Sequence, residues 1–227
     1  MRDWWTVLHP PYTAWHLSYV VIGSVLAPRP QVSVLLATVA AFFLAVGVAA
    51  HALDEVHGHP LGTGLGRGVL VGAAGTGLAG AVVLGSLGVV RQGPVLVPFI
   101  VVGVVVAIAY NAEMFGGALH NDAVFALAWG GFPVLTAYVA QARTLSVAAV
   151  LAALAAIGLS AAQRALSGPA RALRRRARAV EGTVLFADGS RRALDEAVLL
   201  RPLERALGSL SWATVALALA LALERLG

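Results

Sequence analysis

The amino-acid sequence predicts an all-α protein, a polytopic bundle of about seven transmembrane helices with a small soluble insert before the last one. Of its 227 residues, 59% are hydrophobic and 12% are charged, whereas soluble domains have about 25% charged residues. The apolar residues also form several long uncharged runs, and a helix of about 18 such residues crosses a bilayer. No water-soluble fold suits this pattern.

Seven apolar segments are expected to span the membrane. The first ends at Pro28 and Pro30, because proline interrupts a helix. The third is rich in glycine, which suits close helix packing in lipid. We therefore expect a six-helix bundle in residues 1–165, a basic insert in 166–210 and a last helix in 211–227. The predicted spans are 12–27, 32–55, 68–90, 95–110, 123–141, 145–162 and 211–223.

The arginines predict the orientation of the bundle. All 16 basic residues are arginine. With a cytoplasmic N-terminus, twelve of them lie inside and four lie outside (Arg29, Arg91, Arg143 and Arg225), as the positive-inside rule requires. We expect a multi-pass protein of a bacterial cytoplasmic membrane, with the insert (163–210) on the cytoplasmic side. The net charge of +5 then reflects these loops and not nucleic-acid binding.

The insert is expected to contain three elements. PARALRRRARAV, from Pro169, suggests an interfacial helix whose arginines face lipid head groups. GTVLFADGSRR predicts a β-hairpin with Asp188 and Gly189 at its turn. LDEAVLLRPLERAL predicts a helix that leads into the last span. The favoured interpretation of these charges is a solvated cytoplasmic surface.

Two polar clusters interrupt the apolar pattern at the predicted cytoplasmic side. Ionisable groups at membrane depth are costly, so they are functional candidates. In the first, His51, Asp54 and Glu55 share one helix face, with the i, i+3, i+4 spacing. His57, His59 and Arg67 follow this cluster. The second cluster contains Tyr110, Asn111, Glu113, His120, Asn121 and Asp122.

These side chains suit a metal site. Carboxylates favour Mg²⁺, which binds diphosphates, whereas mixed histidine and carboxylate ligands favour Zn²⁺ or Fe. Cysteine is absent, so thiolate ligands are excluded. The alternative is that the polar groups cap helix ends and bind nothing. The predicted ligands are His51, Asp54, Glu55, Glu113, His120 and Asp122.

Three further aromatic residues and one histidine lie near the N-terminus. Trp4, Trp5 and Tyr12 are interpreted as anchors at the membrane interface. His16 lies inside the first span, where a lone histidine usually bonds a neighbouring helix. It would join a site only if it lay near the cytoplasmic side.

The segment AAHALDEVHGHPLGTG resembles the Asp-rich motif N-D-x-x-D-x-x-x-D and the R-P-L-x-S-G stretch of the UbiA superfamily of intramembrane prenyltransferases. Asp54 falls on the second Asp of that motif. HPPYTAWHLSYVVIGSVLA resembles the family's first helix, and AYNAEMFGGALHNDAVFALAWGGFPVLTAYVAQ its fourth and fifth, with Asp122 at the acidic position. The resemblance covers about residues 9–142. His51 and His59 replace the family's first Asp and its Arg, and no second acidic motif follows the sixth span.

The resemblance implies an integral membrane enzyme that acts on a prenyl (diphosphate) or other lipid substrate at a metal site, with Mg²⁺ as the expected ion. Asp54, Glu55 and His51 would be catalytic. One alternative is a lipid-modifying enzyme with a histidine and carboxylate site for Zn²⁺ or Fe, and another is a non-catalytic lipid-binding or transport protein. The implied substrate-binding residues are Arg67, Tyr110, Asn111, Arg164 and Arg171.

Overall fold

The computed structural model describes residues 2–57 and 61–227. His59 and Pro60, which belong to the segment that resembles the R-P-L-x-S-G stretch, lie outside these ranges. Almost all of the regular structure is helical. The described helices are α1 (Arg2–Leu8), α2 (Pro10–Val25), α3 (Val32–Val56), α4 (Arg67–Gln92), α5 (Pro94–Asn111), α6 (Asp122–Ala142), α7 (Val147–Arg176) and α8 (Glu196–Leu226).

Six of the described helices, α3 to α8, are long and apolar enough to cross a membrane. The chain is therefore a multi-pass membrane protein. Helix α2 matches the first predicted span but has only 16 residues. It packs between α6 and α8, and Trp15, Tyr19 and Val20 are almost completely buried. Its apolar residues thus meet protein, because the longer helices surround it.

Two of the long helices contain a π-helical segment, Phe43–Ala50 in α3 and Leu127–Gly131 in α6. A π-helical turn changes the register of the side chains and is frequent at functional sites. The sequence pattern predicted neither segment. Both carry residues that border the candidate site described below.

Two glycines let helices approach closely. A methyl group on Gly23 of α2 would lie 2.2 Å from the carbonyl oxygen of Val134. One on Gly130 of α6 would lie 2.6 Å from the carbonyl oxygen of Ala156 in α7. Contacts of this kind are how small residues stabilise helix pairs in lipid. Here they fix α6 against both α2 and α7.

The helices alternate in direction, so the loops gather at two ends. One end, which we call the cluster end, comprises His9, His57 and residues 61–66, 112–121 and 177–195. The opposite end comprises residues 26–31, Gly93 and 143–146. There the buried Gln141 side chain bonds the backbone of Gln31 twice, at 2.9 and 3.0 Å.

Helices α7 and α8 extend the bundle at the cluster end. The segment from Pro169 to Arg176 is helical, as expected, and it continues the sixth predicted span without a break, while its interfacial position stays a prediction. The hairpin is confirmed: Thr183–Leu185 pairs antiparallel with Arg191–Ala193, and Gly189 at the turn has φ 85°. The helix that leads into the last span is also confirmed, since α8 is continuous from Glu196.

Candidate functional site

The ends of α2, α3, α5 and α6 bring histidine and aromatic side chains together. The Tyr12 ring lies 4.3 Å from that of His16 and 5.6 Å from that of His51. The centre of the Phe125 ring lies 6.4 Å from the centre of the Tyr12 ring. The first, second and fifth predicted spans therefore contribute side chains to one site. We name it the polar aromatic cluster: Tyr12, His16, His51, Tyr110, His120, Phe125 and Trp129.

Each of the three imidazoles in this cluster has the same hydrogen-bonding arrangement. Their Nδ1 atoms lie 2.9 to 3.2 Å from backbone carbonyl oxygens. Because a carbonyl oxygen only accepts, each Nδ1 carries a hydrogen, and Nε2 is the atom that offers a lone pair when the ring is neutral. That atom is the base or metal ligand of such a ring. The pairs are His16 with Trp129, His51 with Gly47, and His120 with Tyr110.

Two polar atoms in the cluster are buried and have no hydrogen-bond partner among the described residues: Nε2 of His16 and the hydroxyl of Tyr110. The Tyr110 ring stacks on His120 at 4.4 Å and contacts Trp129 at 4.5 Å. The neighbouring Asn111 is also buried, but its amide donates to Ala107 in its own helix at 2.7 Å. Asn111 therefore stabilises α5.

Charged groups border the cluster. Asp54 is half-buried on α3, three residues after His51, and Arg164 and Arg171 of α7 lie near enough to act on its carboxyl electrostatically. The Arg164 guanidinium lies 5.2 Å from the centre of the Phe125 ring. It also pairs with the exposed carboxylate of Asp122 at 2.7 Å. This side of the site thus combines one half-buried acid with two arginines.

His9 lies beside the same arginines, just before α2. Its ring is 5.7 Å from that of Tyr12. Partial burial, and then the guanidinium groups of Arg175 and Arg171, lower the pKa of His9. A neutral ring is favoured here because added positive charge would be repelled.

Glu55 has a different environment from Asp54. Its side chain is fully buried. One carboxylate oxygen accepts from the Leu61 amide at 2.9 Å, and the other accepts from the Thr63 amide and hydroxyl, each at 2.8 Å. Glu55 therefore binds the loop that follows α3.

Two other predicted residues lie at the surface. Arg67 is exposed at the first residue of α4. Glu113 is exposed after α5, with φ 47°. The structure gives neither a contact with the polar aromatic cluster.

A Mg²⁺ site needs several oxygen ligands that converge. Of the predicted carboxylates, Glu55 bonds the loop, Asp122 pairs with Arg164 and Glu113 lies at the surface. No group of three metal-binding side chains converges within residues 2–57 and 61–227. As arranged here, these residues do not form a carboxylate cradle, and the divalent metal stays a prediction.

An apolar cavity of about 740 Å³ lies between α3, α4, α5 and α6. It extends along α6 from Val124 to Ala140, or roughly 25 Å at the rise of an α-helix. Its wall includes the exposed Leu87 and Val102, so the cavity opens on the lipid-facing surface. The residues that it shares with the packing around the polar aromatic cluster are Val46, Val106, Val124, Ala128 and Trp129.

Four members of the cluster were not among the predicted site residues. Tyr12 was interpreted as an interfacial anchor, and the structure shows its ring packed against His16 and His51. His16 was a conditional candidate, and it does join the cluster. Nothing in the sequence marked Phe125 and Trp129 as site residues. They lie four residues apart on α6, a spacing that places two side chains on the same face of a helix.

Neither family models, nor curated proteins, nor solved structures give a match to this chain. The resemblance to the UbiA superfamily therefore stays a prediction. The class that the fold supports is a multi-pass helical membrane protein. Its function has to be argued from the cluster and the cavity.

Proposed function

We propose that this protein acts on an amphipathic lipid, whose apolar chain lies in the cavity and whose polar head lies at the polar aromatic cluster. The observation that carries this proposal is the shared wall: Val46, Val106 and Trp129 line the cavity and pack against the cluster. Ligand sites in proteins are mostly apolar, with a few convergent polar groups at one point. Prenyl lipids, including prenyl diphosphates, are the substrate class that we propose.

The cluster has the groups for proton transfer and for binding an anionic head. The Nε2 atoms of His51 and His120 are proton acceptors, and so is the Asp54 carboxylate. Arg164 and Arg171 supply positive charge beside them. We therefore propose an enzyme in which His51 or Asp54 moves a proton and the arginines hold the head. No step of this proposal passes through a metal ion.

The test is ligand binding to the purified protein in detergent, measured by isothermal titration calorimetry. The probes are a prenyl diphosphate of four isoprene units and the matching prenyl alcohol. Ala45 lies in the cavity wall, so Ala45→Phe should weaken both ligands at least tenfold. Gly75→Ala is the matched control, because nothing lies within 4 Å of the added methyl group. If the wild-type protein binds neither probe, the proposed function is wrong.

A second candidate function is lipid binding without catalysis. It is favoured by the engaged carboxylates, since Glu55 and Asp122 already have protein partners. Product formation separates the two candidates. The enzyme should convert a prenyl diphosphate, and His51→Ala and Asp54→Asn should lose turnover while they still bind the prenyl alcohol. If the protein binds both probes and forms no product, its function is lipid binding without catalysis.

A further inference from the structure

The end of the cavity farthest from the polar aromatic cluster is lined by polar residues. Gln31, Arg91, Gln92 and Arg143 form this part of the wall. They follow or precede the apolar stretches of α3, α4 and α6, at the opposite end of the bundle. The cavity therefore runs from the cluster to a second polar site near the other membrane surface.

Arg143 is held across this mouth by the protein itself. It ends α6 in the left-handed conformation, with φ 59°. Its Nε donates to the Gln92 side chain at 3.0 Å, and its Nη2 donates to the Arg91 carbonyl at 3.1 Å. These contacts join α6 to α4. They also bring the side chain of Arg143 to the backbone of a second arginine.

Within the described residues, no carboxylate pairs with the positive charge at this mouth. The described parts of the chain contain ion pairs of Arg164 and Arg174, and none of Arg91 or Arg143. The hydrogen-bond acceptors that Arg143 uses are neutral. Both arginines are exposed, at the ends of the apolar stretches of α4 and α6. Guanidinium groups bind phosphate through parallel N–H donors, so a phosphate group suits this site.

An apolar surface adjoins these charges. Leu96 and Leu87 line the same part of the wall, and Leu87 is half exposed on the lipid-facing side. A lipid can therefore enter from the bilayer without crossing a polar barrier. A free anion would use the arginines alone, whereas a lipid would also bury its chain along this wall.

We propose that Arg91 and Arg143 bind the anionic head group of a membrane phospholipid from the leaflet at the opposite end, and that one acyl chain of this lipid enters the cavity. This is a second head-group site, about the length of the cavity away from the polar aromatic cluster. It does not depend on catalysis at the cluster. Its occupant shares the cavity with the substrate of the proposed function, so the two ligands should compete.

Native mass spectrometry of the purified protein tests this site. Phosphatidylglycerol is the anionic probe, and phosphatidylcholine is the zwitterionic reference. The loss of one arginine that faces an anionic lipid head group weakens lipid binding roughly fivefold. Arg91→Gln combined with Arg143→Gln should then weaken phosphatidylglycerol binding roughly 30-fold. Arg29→Gln is the matched control, because Arg29 is exposed at the same end but outside the cavity wall.

Two further arms identify what the arginines recognise. Glycerol phosphate, which has no acyl chain, should bind at least tenfold more weakly than the lipid. Equal binding would mean that the site takes a free anion, and the lipid proposal would be wrong. Equal affinity of the wild-type protein for both lipids, or an effect of Arg29→Gln as large as that of the double variant, would also overturn it.

The outcome is distinguishable from that of the proposed function. Asp54→Asn and His51→Ala should leave phosphatidylglycerol binding unchanged, since both residues lie at the cluster end. If the prenyl probes fail to bind but the lipid binds as expected, the second site stands alone. If the prenyl probes bind but phosphatidylglycerol does not, only the proposal of the second head-group site is refuted.

Discussion

Replacing Glu55 tests how a buried carboxylate binds the loop that follows α3. Glu55 is fully buried, and its carboxylate accepts hydrogen bonds from two amides and one hydroxyl of the following loop, at 2.8 to 2.9 Å. Hydrogen bonds to a charged group contribute about 1.5–3 kcal/mol each. In Glu55→Gln one oxygen remains an acceptor, while the new NH₂ group faces an amide donor. We expect a loss of about 3 kcal/mol, from one such bond and a donor left unsatisfied.

The loss should appear as a lower unfolding temperature in detergent. For a chain of 150–250 residues, 1 kcal/mol corresponds to about 2–4 °C, so Glu55→Gln should lower the midpoint by about 6–12 °C. Glu113→Gln is the matched control, because Glu113 is exposed and surface changes stay within about 0.5 kcal/mol. Thr63→Val removes only the hydroxyl bond and should cost about 1 kcal/mol. A Glu55→Gln midpoint within 2 °C of the wild-type value would refute this account.

Three other predictions concern packing, a buried amide and a turn. Gly23→Ala should destabilise the protein by about 1–3 kcal/mol in thermal unfolding, because the methyl group meets the α6 backbone; Gly75→Ala, with open space around it, should be nearly neutral, and equal effects would contradict the close approach. Gln141→Leu should cost about 2 kcal/mol, since the amide and carbonyl of Gln31 lose their partner; an unchanged melting midpoint would argue against this pair. The Ser190 hydroxyl and amide lower the pKa of Asp188, so the hairpin gains stability that is present above the usual Asp value and is lost as the pH falls through the lowered one; the protection factors of the amides in residues 183–193, taken against the intrinsic exchange rate at the same pH, should therefore fall in acid, and Asp188→Asn should remove that dependence.

Some features of the site were predictable because they depend on short stretches of sequence. His51 and Asp54 stand out since ionisable groups are rare in a membrane span, and the same holds for His120 before α6. The expectation that these groups share one end of the bundle followed from the alternating direction of the helices. The structure brings His51 and His120 into one cluster, through the rings of Tyr12 and Phe125.

The roles of individual residues were less predictable. Asp54 and Glu55 are adjacent and chemically alike, yet one borders the cluster and the other binds a loop. Tyr12 matched the composition of an interfacial anchor, although its ring lies between two histidines. Helix rotation decides such cases, and a π-helical segment alters that rotation within a single helix.

The sequence by itself determined that the chain is helical, that it crosses a membrane several times and where most of its helices begin and end. These properties depend on the length and polarity of each segment, because the bilayer acts on every segment separately. Only the tertiary structure decided which side chains face each other, as when His16 bonds the carbonyl of Trp129, 113 residues away. Such contacts depend on how closely helices pack and how each is rotated, and both are set by many side chains that are distant in sequence.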